Sequence, residues 1–130
     1  MIVVDASAIL DVLLRSSQAS EIEDLIFGQG VTLHAPHLLD LEVIQVLRRF
    51  VRVGSMHPSR GLEAIRVFMD FPIERYDHIT LLERIWELRD NMTAYDASYV
   101  ALAEALPAKL LTRDARLASV ASHYIRVHLV

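Results

Sequence analysis

The stretch TAYDASYVALAEALPAKLLTRDARLASV, residues 93–120, predicts a helix, a break at Pro107, a short apolar strand and a second helix. Each helix has an acid near its start: Asp96 in the first, and Asp114 just after the strand KLLT. The opening residues MIVVDASAILDVLL repeat the second arrangement, because the apolar strand IVV leads directly into Asp5. The order strand, acid, helix therefore occurs twice, near the two ends of the chain.

Short apolar runs alternate with helical patterns along the rest of the chain. The segments VTLHA, PIERY and YIRVHLV are predicted strands, and the segments between them have helical periodicity. This alternation predicts βαβ units and a central, mostly parallel sheet of four to five strands. Right-handed crossovers then place helices on both faces of the sheet, which gives a three-layer α/β/α fold of the α/β class. In such sheets, functional groups collect beyond the carboxyl ends of the strands.

Capping signals predict where four of the helices begin. Ser20 stands three residues before a glutamate, which is the spacing of a capping box, and Pro36 is expected to open a long helix. Asp77 is expected to cap the segment HITLLERIWELRDN, and Thr93 to cap the helix that carries Asp96.

Length and composition indicate one globular domain over residues 1–130. The formal charge is −4 and 53% of the residues are hydrophobic, so the chain is neither disordered nor typical of polyanion binders. The absence of cysteine excludes disulfides and thiolate metal sites, and it fits a cytoplasmic location. No apolar run has the length of a membrane span, and residues 1–4 do not resemble a signal peptide, so no membrane association is expected.

Asp5 and Asp114 both fall at the carboxyl end of a predicted parallel strand. If these strands are close in the sheet, the two carboxylates share one crevice, where they would repel each other unless a cation lies between them. Ligand sets made only of oxygen atoms suit Mg²⁺ or Mn²⁺. The alternative is that each aspartate simply caps the helix that follows it.

Two further acids are candidates for the same site. Glu42 lies among apolar residues of the long helix, where a carboxylate either follows a narrow solvated stripe or faces a polar pocket. Asp96 follows Thr93 by three residues, so it could also complete a capping box or complement the helix dipole. Asp77 is a strand-end acid too, and it is predicted to be a structural cap.

Other kinds of site find no support in the sequence. The six histidines lack the HxxxH or HxH spacing of zinc ligands, and no glycine-rich phosphate loop is present. No Ser-His-Asp arrangement can be identified either.

Four motifs together give the chain a clear resemblance: MIVVDASAIL, LLDLEVIQVLRR, NMTAYDASYVALAEAL and LLTRDARLA. Over nearly its full length the chain resembles a PIN-domain ribonuclease of the VapC toxin type. The resemblance assigns the catalytic and metal-binding acids of the family, in chain order, to Asp5, Glu42, Asp96 and Asp114. Supporting hydroxyl residues fall on Ser7 and Thr112. Gln45 stands where members often have asparagine, a departure that should not affect metal binding.

The resemblance implies a PIN-like fold and a metal-dependent endoribonuclease that acts as the toxin of a VapBC-type toxin–antitoxin system. Mg²⁺, for which Mn²⁺ can substitute, would activate water for hydrolysis of RNA phosphodiester bonds. The implied target is a structured RNA such as tRNA or rRNA. The implied partners are a cognate VapB-type antitoxin and a second copy of the chain, with operator DNA contacted only through the antitoxin.

Two features of the sequence add to these implications. Wide apolar coverage of the first helix and of residues 38–53 favours a homodimer, because a surface helix needs only one apolar stripe. Arg113 and Arg116 flank the fourth acid closely and are placed to contact phosphate groups.

Two alternatives differ from this interpretation in class. A phosphoaspartate enzyme is disfavoured. A phosphatase of that kind needs a second acid two residues after Asp5, where this chain has Ser7. A receiver domain needs a lysine at the end of a late strand, whereas Lys109 precedes its strand. A catalytically silent PIN-like module that only binds a protein partner remains the other alternative, although all four acids are present.

Overall fold

The strands of the computed structural model, which describes all 130 residues, form one sheet at the centre of the fold. They are β1 (Ile2–Val4), β2 (Leu33–Pro36), β3 (Ile73–Tyr76), β4 (Lys109–Thr112) and β5 (Val127–Leu129). Their order in the sheet is β3-β2-β1-β4-β5, and every neighbouring pair is parallel. The predicted α/β fold is therefore confirmed, with five strands and an entirely parallel sheet.

Seven α-helices connect the strands. They are α1 (Ala6–Leu13), α2 (Ala19–Ile26), α3 (Leu38–Arg52), α4 (Pro58–Met69), α5 (Leu82–Glu87), α6 (Ala94–Ala105) and α7 (Ala115–Ala121), and a short 3-10 helix (Ile79–Leu81) precedes α5. None of these helices is long and apolar enough to cross a membrane.

Alternating side chains of the sheet belong to two separate cores. Ile2, Val4 and Leu111 pack in a cluster with residues of α1, α2, α3 and α4. Val3 and Leu110 pack in a second cluster with residues of α5, α6 and α7. Because both faces are covered, β1 is apolar throughout and so is the centre of β4, whereas the edge strands β3 and β5 also carry polar residues. The sheet is thus the middle layer of an α/β/α fold.

Two of the expected helix starts are wrong. Pro36 ends β2, where it pairs in register with Tyr76, and α3 begins two residues later at Leu38. A proline is tolerated at a strand end. It has no backbone N–H, so only one hydrogen bond between strands is missing there. Ser20 lies inside α2, which begins at Ala19 without a side-chain cap. The burial of Ala19 against the core outweighs the local capping signal.

The caps at Asp77 and Thr93 have different outcomes. Asp77 Oδ1 accepts a hydrogen bond of 3.0 Å from Ile79 N, but this cap opens the 3-10 helix, and α5 is a separate segment that ends at Glu87. The single continuous helix expected after Asp77 is therefore wrong. Thr93 caps α6 as predicted, since its hydroxyl accepts from Asp96 N at 3.2 Å.

The strand order creates a switch point beside β1. The chain places β2 and β3 on one side of β1, and then crosses to place β4 and β5 on the other. Val4 pairs with Leu111, so the carboxyl ends of β1 and β4 are adjacent. A crevice forms at such a point because the connecting helices diverge to opposite faces of the sheet. Asp5 follows β1 directly, and Asp114 follows β4 after a single residue, Arg113.

Candidate active site

Asp5 is the most tightly held of the candidate acids. It follows β1 and caps α1, and only 5% of the residue is exposed. Its Oδ1 accepts from Ser7 Oγ at 2.6 Å and from Ala8 N at 3.1 Å, and its Oδ2 accepts from Thr112 Oγ1. Burial raises the pKa of Asp5, and the hydrogen bonds from Ser7 and Thr112 partly offset that effect. Both oxygens of the carboxylate accept hydrogen bonds, yet no basic side chain pairs with it.

Glu42 faces the cleft from α3 and is held by a tyrosine. Tyr99 OH, on α6, donates to Glu42 Oε1 at 2.5 Å. Burial raises the pKa of Glu42, and repulsion by Asp5 and Asp96 acts in the same direction. Burial and the neighbouring Glu42 also raise the pKa of Tyr99 far above its usual range, so the phenol remains a neutral donor. Of the two readings of Glu42, the polar pocket is the one that the structure shows.

Asp96 and Asp114 form the outer part of the cleft. Asp96 lies in the first turn of α6, and Asp114 is the N-cap of α7, with Oδ1 accepting from Leu117 N at 3.0 Å. Arg116 Nη2 lies 3.2 Å from Asp96 Oδ2 and 3.9 Å from Asp114 Oδ2. Asp114 therefore caps α7 with one oxygen and also lines the cleft.

Ser7 and Thr112 connect the two strand ends. Ser7 Oγ accepts from Arg113 N at 2.9 Å while it donates to Asp5. Thr112 Oγ1 accepts from Asp114 N at 2.9 Å while it also donates to Asp5. The two hydroxyls thus fix the loop after β4 against the carboxylate after β1. The supporting role of both residues stays a prediction, and the structure places both hydroxyls on the Asp5 carboxylate.

The four acids line a single cleft of about 150 Å³. The other lining residues are Ala6, Ser7, Tyr99 and Leu117. The side chains that line the cleft offer only oxygen atoms as metal ligands, which suit a hard divalent cation better than zinc. No three of the carboxylates converge into a ready-made metal cage. Mg²⁺ does not need one, because it usually keeps several waters and takes only one or two carboxylates from the protein. The donor set therefore fits Mg²⁺ or Mn²⁺.

The two arginines that follow β4 differ in position. Arg113 Nε lies 2.7 Å from Asp11 Oδ2, and its Nη1 donates to Val130 O at 3.4 Å. Arg113 is therefore occupied on the side of α1, and only Arg116 reaches the acids of the cleft.

Tyr99 is the site residue that sequence reasoning missed. One signal for it was present, because Tyr99 follows Asp96 by three residues and so lies on the same face of α6. The apolar neighbours of Tyr99 in the sequence gave it the character of a core residue, and it is indeed almost fully buried. Only its hydroxyl reaches the site.

Known proteins resemble the chain in both sequence and fold. Residues 2–122 match the model of the PIN domain family. A VapC ribonuclease of Mycobacterium bovis is 47% identical over 117 residues, which cover 90% of this chain and 88% of that protein. Ribonuclease VapC12 of Mycobacterium tuberculosis is 35% identical over 130 residues, with 100% and 99% of the two chains covered.

A solved structure confirms the fold from a more distant protein. The crystal structure of VapBC2 from Rickettsia felis, bound to a DNA fragment from the promoter, contains a chain that superposes with a TM-score of 0.74. That chain is 12% identical, and the match covers 99% of this chain and 98% of the other. The PIN-like α/β/α architecture is therefore shared in full. From the family match and the identity to these relatives, the chain belongs to the PIN-domain family and, within it, to the VapC ribonucleases.

Proposed function

We propose that this VapC-type endoribonuclease hydrolyses phosphodiester bonds of a structured RNA, such as tRNA or rRNA, with the help of Mg²⁺ or Mn²⁺. The observation that carries the proposal is the shared cleft, which all four candidate acids line. Asp5, Glu42, Asp96 and Asp114 would hold the cation, one or two of them directly and the others through its waters. A divalent cation bound there supplies a water of lowered pKa and neutralises charge that develops on the phosphate.

The residues of the chain would contribute orientation and charge. Ser7 and Thr112 hold both oxygens of Asp5 in place, and Tyr99 holds one oxygen of Glu42. Such fixed supports of ligand residues keep the geometry of a cation site nearly constant. Phosphoryl transfer requires mainly positioning and electrostatic stabilisation, so a rigid set of acids is sufficient machinery.

The proposal includes a role as the toxin of a VapBC-type pair, in the cytoplasm, with a cognate VapB-type antitoxin as inhibitor. The support is that relatives with 47% and 35% identity are named VapC ribonucleases. Contact with operator DNA is proposed to occur only through the antitoxin, since a chain with a formal charge of −4 is a poor direct DNA binder.

A homodimer is also part of the proposal. Of the two helices whose apolar coverage favours a dimer, only α3 exposes large apolar side chains. The apolar residues of α1 are buried within the chain, in the core that α1 shares with α2, α3 and α4. On α3, however, Leu41 is 68% exposed and Ile44 is 42% exposed. Leu82, Trp86 and Tyr95 are exposed as well. Light scattering should give twice the chain mass of 14.7 kDa, and the single-chain mass at micromolar concentration would contradict the dimer.

Cleavage of RNA by the purified chain, free of its partner, tests the activity. The chain should cut RNA in the presence of Mg²⁺ or Mn²⁺, and EDTA should stop the reaction. Asp5→Asn should abolish cleavage, because it keeps the shape of the side chain but removes the charge of a ligand. Asp77→Asn is the matched control, since Asp77 also follows a strand but does not line the cleft. Full activity in Asp5→Asn would contradict the mechanism. A folded wild-type chain that cuts no RNA with either metal would favour the silent protein-binding module.

A further inference from the structure

Arg116 is the only basic side chain that reaches the acids of the cleft. Its Nη2 lies 3.2 Å from Asp96 Oδ2 and 3.9 Å from Asp114 Oδ2. Asp5 and Glu42, in the inner part of the cleft, receive hydrogen bonds only from hydroxyl groups and a backbone amide. The guanidinium therefore compensates the charge of the outer acids alone, and it occupies oxygens that a cation would need.

The contacts of Arg116 are those of a side chain that can move. Its side chain is 69% exposed and makes no other ion pair, and the contact to Asp114 is at the limit of direct pairing. Exposed ion pairs contribute little to stability, so releasing the guanidinium costs little free energy. Arg113, by contrast, is held between Asp11 and the carbonyl of Val130. Arg116 is thus the basic group that can exchange partners.

We propose that Arg116 is an exchangeable counter-cation of the cleft: it pairs with Asp96 and Asp114 before a divalent cation binds, and it then turns outward to a phosphate of the RNA. The inference rests on the proposed function, because it needs both a cation site and an RNA substrate. A guanidinium suits both positions, since its planar fork pairs with carboxylate and phosphate oxygens alike. The divalent cation would then replace the guanidinium beside Asp96 and Asp114, so these two acids would face a positive charge in both states.

Opposite effects on cation and RNA affinity follow from this arrangement. Without Arg116 the outer acids lose a competitor, so the cation should bind more tightly. The RNA loses a phosphate contact, so it should bind more weakly. Damage to the fold would weaken both, and an arginine with no role would change neither.

Calorimetric titration of the metal-free protein with Mn²⁺ measures the first effect. Arg116→Ala should bind Mn²⁺ about two- to fivefold more tightly than wild type, the range expected for loss of an exposed ion pair. Arg116→Gln is a second neutral variant that keeps more of the side-chain bulk on α7. Arg126→Ala removes the same charge just before β5. Arg126 lies at the amino ends of the strands, whereas the cleft lies at their carboxyl ends, so Mn²⁺ affinity should be unchanged.

Steady-state cleavage of a short RNA at saturating Mn²⁺ measures the second effect. Arg116→Ala should lower kcat/KM about tenfold, mainly through a higher KM, because a charged hydrogen bond to phosphate is lost. Arg116→Lys should fall between alanine and wild type, since it keeps the charge but lacks the fork.

Three results would overturn the inference. They are Mn²⁺ affinity in Arg116→Ala and Arg116→Gln that is equal to or weaker than in wild type, an equal gain in Arg126→Ala, or an unchanged kcat/KM. If wild type itself bound no Mn²⁺ and cut no RNA, the proposed function would fail together with the inference. Wild type that binds Mn²⁺ and cuts RNA, with Arg116 variants that behave identically, would remove the inference alone.

Discussion

Carboxylates pair with a basic side chain in one region of this molecule and have only neutral hydrogen-bond donors in another. Between α5 and α6, Arg84 Nε and Nη2 donate to both oxygens of Glu104 at 2.8 and 2.9 Å, and Nη1 donates to Glu87 at 2.9 Å. At the carboxyl end of the sheet, Asp5 and Glu42 receive only neutral donors. Only the first arrangement gives the acids a positively charged donor, and its one guanidinium serves two carboxylates.

The shifts in pKa have opposite implications in the two regions. The hydrogen bonds that Arg84 donates to Glu104 and Glu87 raise the pKa of Arg84, which favours its charged form. Burial raises the pKa of Asp5 and of Glu42, which disfavours their charged forms. The Arg84 cluster is therefore a structural element, whereas the cleft retains negative charge at a cost in stability. A region that keeps such charge is suited to bind a cation.

The largest difference is expected in activity. Asp96→Asn should lower the initial rate of RNA cleavage about 100-fold or more at saturating Mg²⁺, because a charged group of the cleft is lost. Glu104→Gln removes the same charge on the same helix, outside the cleft, and should retain the wild-type rate. Equal losses of cleavage rate in Asp96→Asn and Glu104→Gln would show that the effect of removing a carboxylate does not depend on its place in the cleft.

Removing the hydroxyl that holds Glu42 should have an intermediate effect. Tyr99→Phe frees the Glu42 carboxylate to change its orientation, and about a tenfold loss of Mn²⁺ affinity or of cleavage rate is expected. Tyr124→Phe is the control, since its hydroxyl accepts from Asn91 Nδ2 away from the cleft. Calorimetry and initial rates on both variants measure the difference, and an unchanged Tyr99→Phe would mean that the hydroxyl only fills space.

Stability should change in opposite directions in the two regions. Asp5→Asn removes a buried charge and replaces one acceptor oxygen by an NH₂ donor, whose hydrogen bond Thr112 Oγ1 can accept if its own hydrogen turns to Ser7 Oγ at 3.3 Å. The metal-free variant should therefore be about 1 kcal/mol more stable than wild type. Arg84→Ala should be destabilised by less than about 1 kcal/mol, because this ion pair is partly exposed. Urea unfolding of the metal-free proteins at pH 7.5 gives both values. Destabilisation of Asp5→Asn would contradict the view that its charge is costly.

The pH dependence of that comparison has a definite sign. The pKa of Asp5 is higher in the folded than in the unfolded state, so the folded protein takes up its proton first as the pH falls. The stability advantage of Asp5→Asn over wild type should therefore shrink as the pH is lowered from neutral through the raised pKa. Repeating the urea experiment at pH 7.5 and pH 5 tests the sign.

The smallest effect is expected at His34, a buried group outside the cleft whose neighbours are two hydroxyls and the Glu74 carboxylate, 3.6 Å from Nδ1. Its Nδ1 and Nε2 each lie 2.8 Å from a hydroxyl, those of Tyr76 and Thr32. Burial lowers the pKa of His34, partly offset by Glu74. Wild type should lose less than about 1 kcal/mol relative to His34→Gln as the pH falls below about 6.5, because the unfolded histidine gains its proton first. Urea unfolding at pH 7.5 and 5.5, with exposed His123→Gln as control, measures this loss. An unchanged difference between wild type and His34→Gln would contradict it.

Much of the site could be predicted because its acids follow local signals. Asp5 and Asp114 stand at strand-to-helix junctions, and a junction is recognisable from a few neighbouring residues. The failures were also local: Ser20 has the spacing of a cap but lies inside α2, since burial of Ala19 outweighs the propensity of a single residue. Sequence reasoning missed Tyr99 because its spacing from Asp96 is the only local sign, and that spacing does not distinguish a core tyrosine from one whose hydroxyl reaches a carboxylate 57 positions away.

The sequence by itself determined the α/β class, the burial of the sheet on both faces and the choice of four candidate acids, whose catalytic role stays a prediction. These depend on periodicity and on short motifs, which act over a few residues. Only the tertiary structure decided that β1 lies beside β4, that Thr112 contacts Asp5 across 107 positions, and that Arg116 rather than Arg113 faces the cleft. Strand order and side-chain partners minimise the free energy of the whole packed chain, and no local segment contains that information.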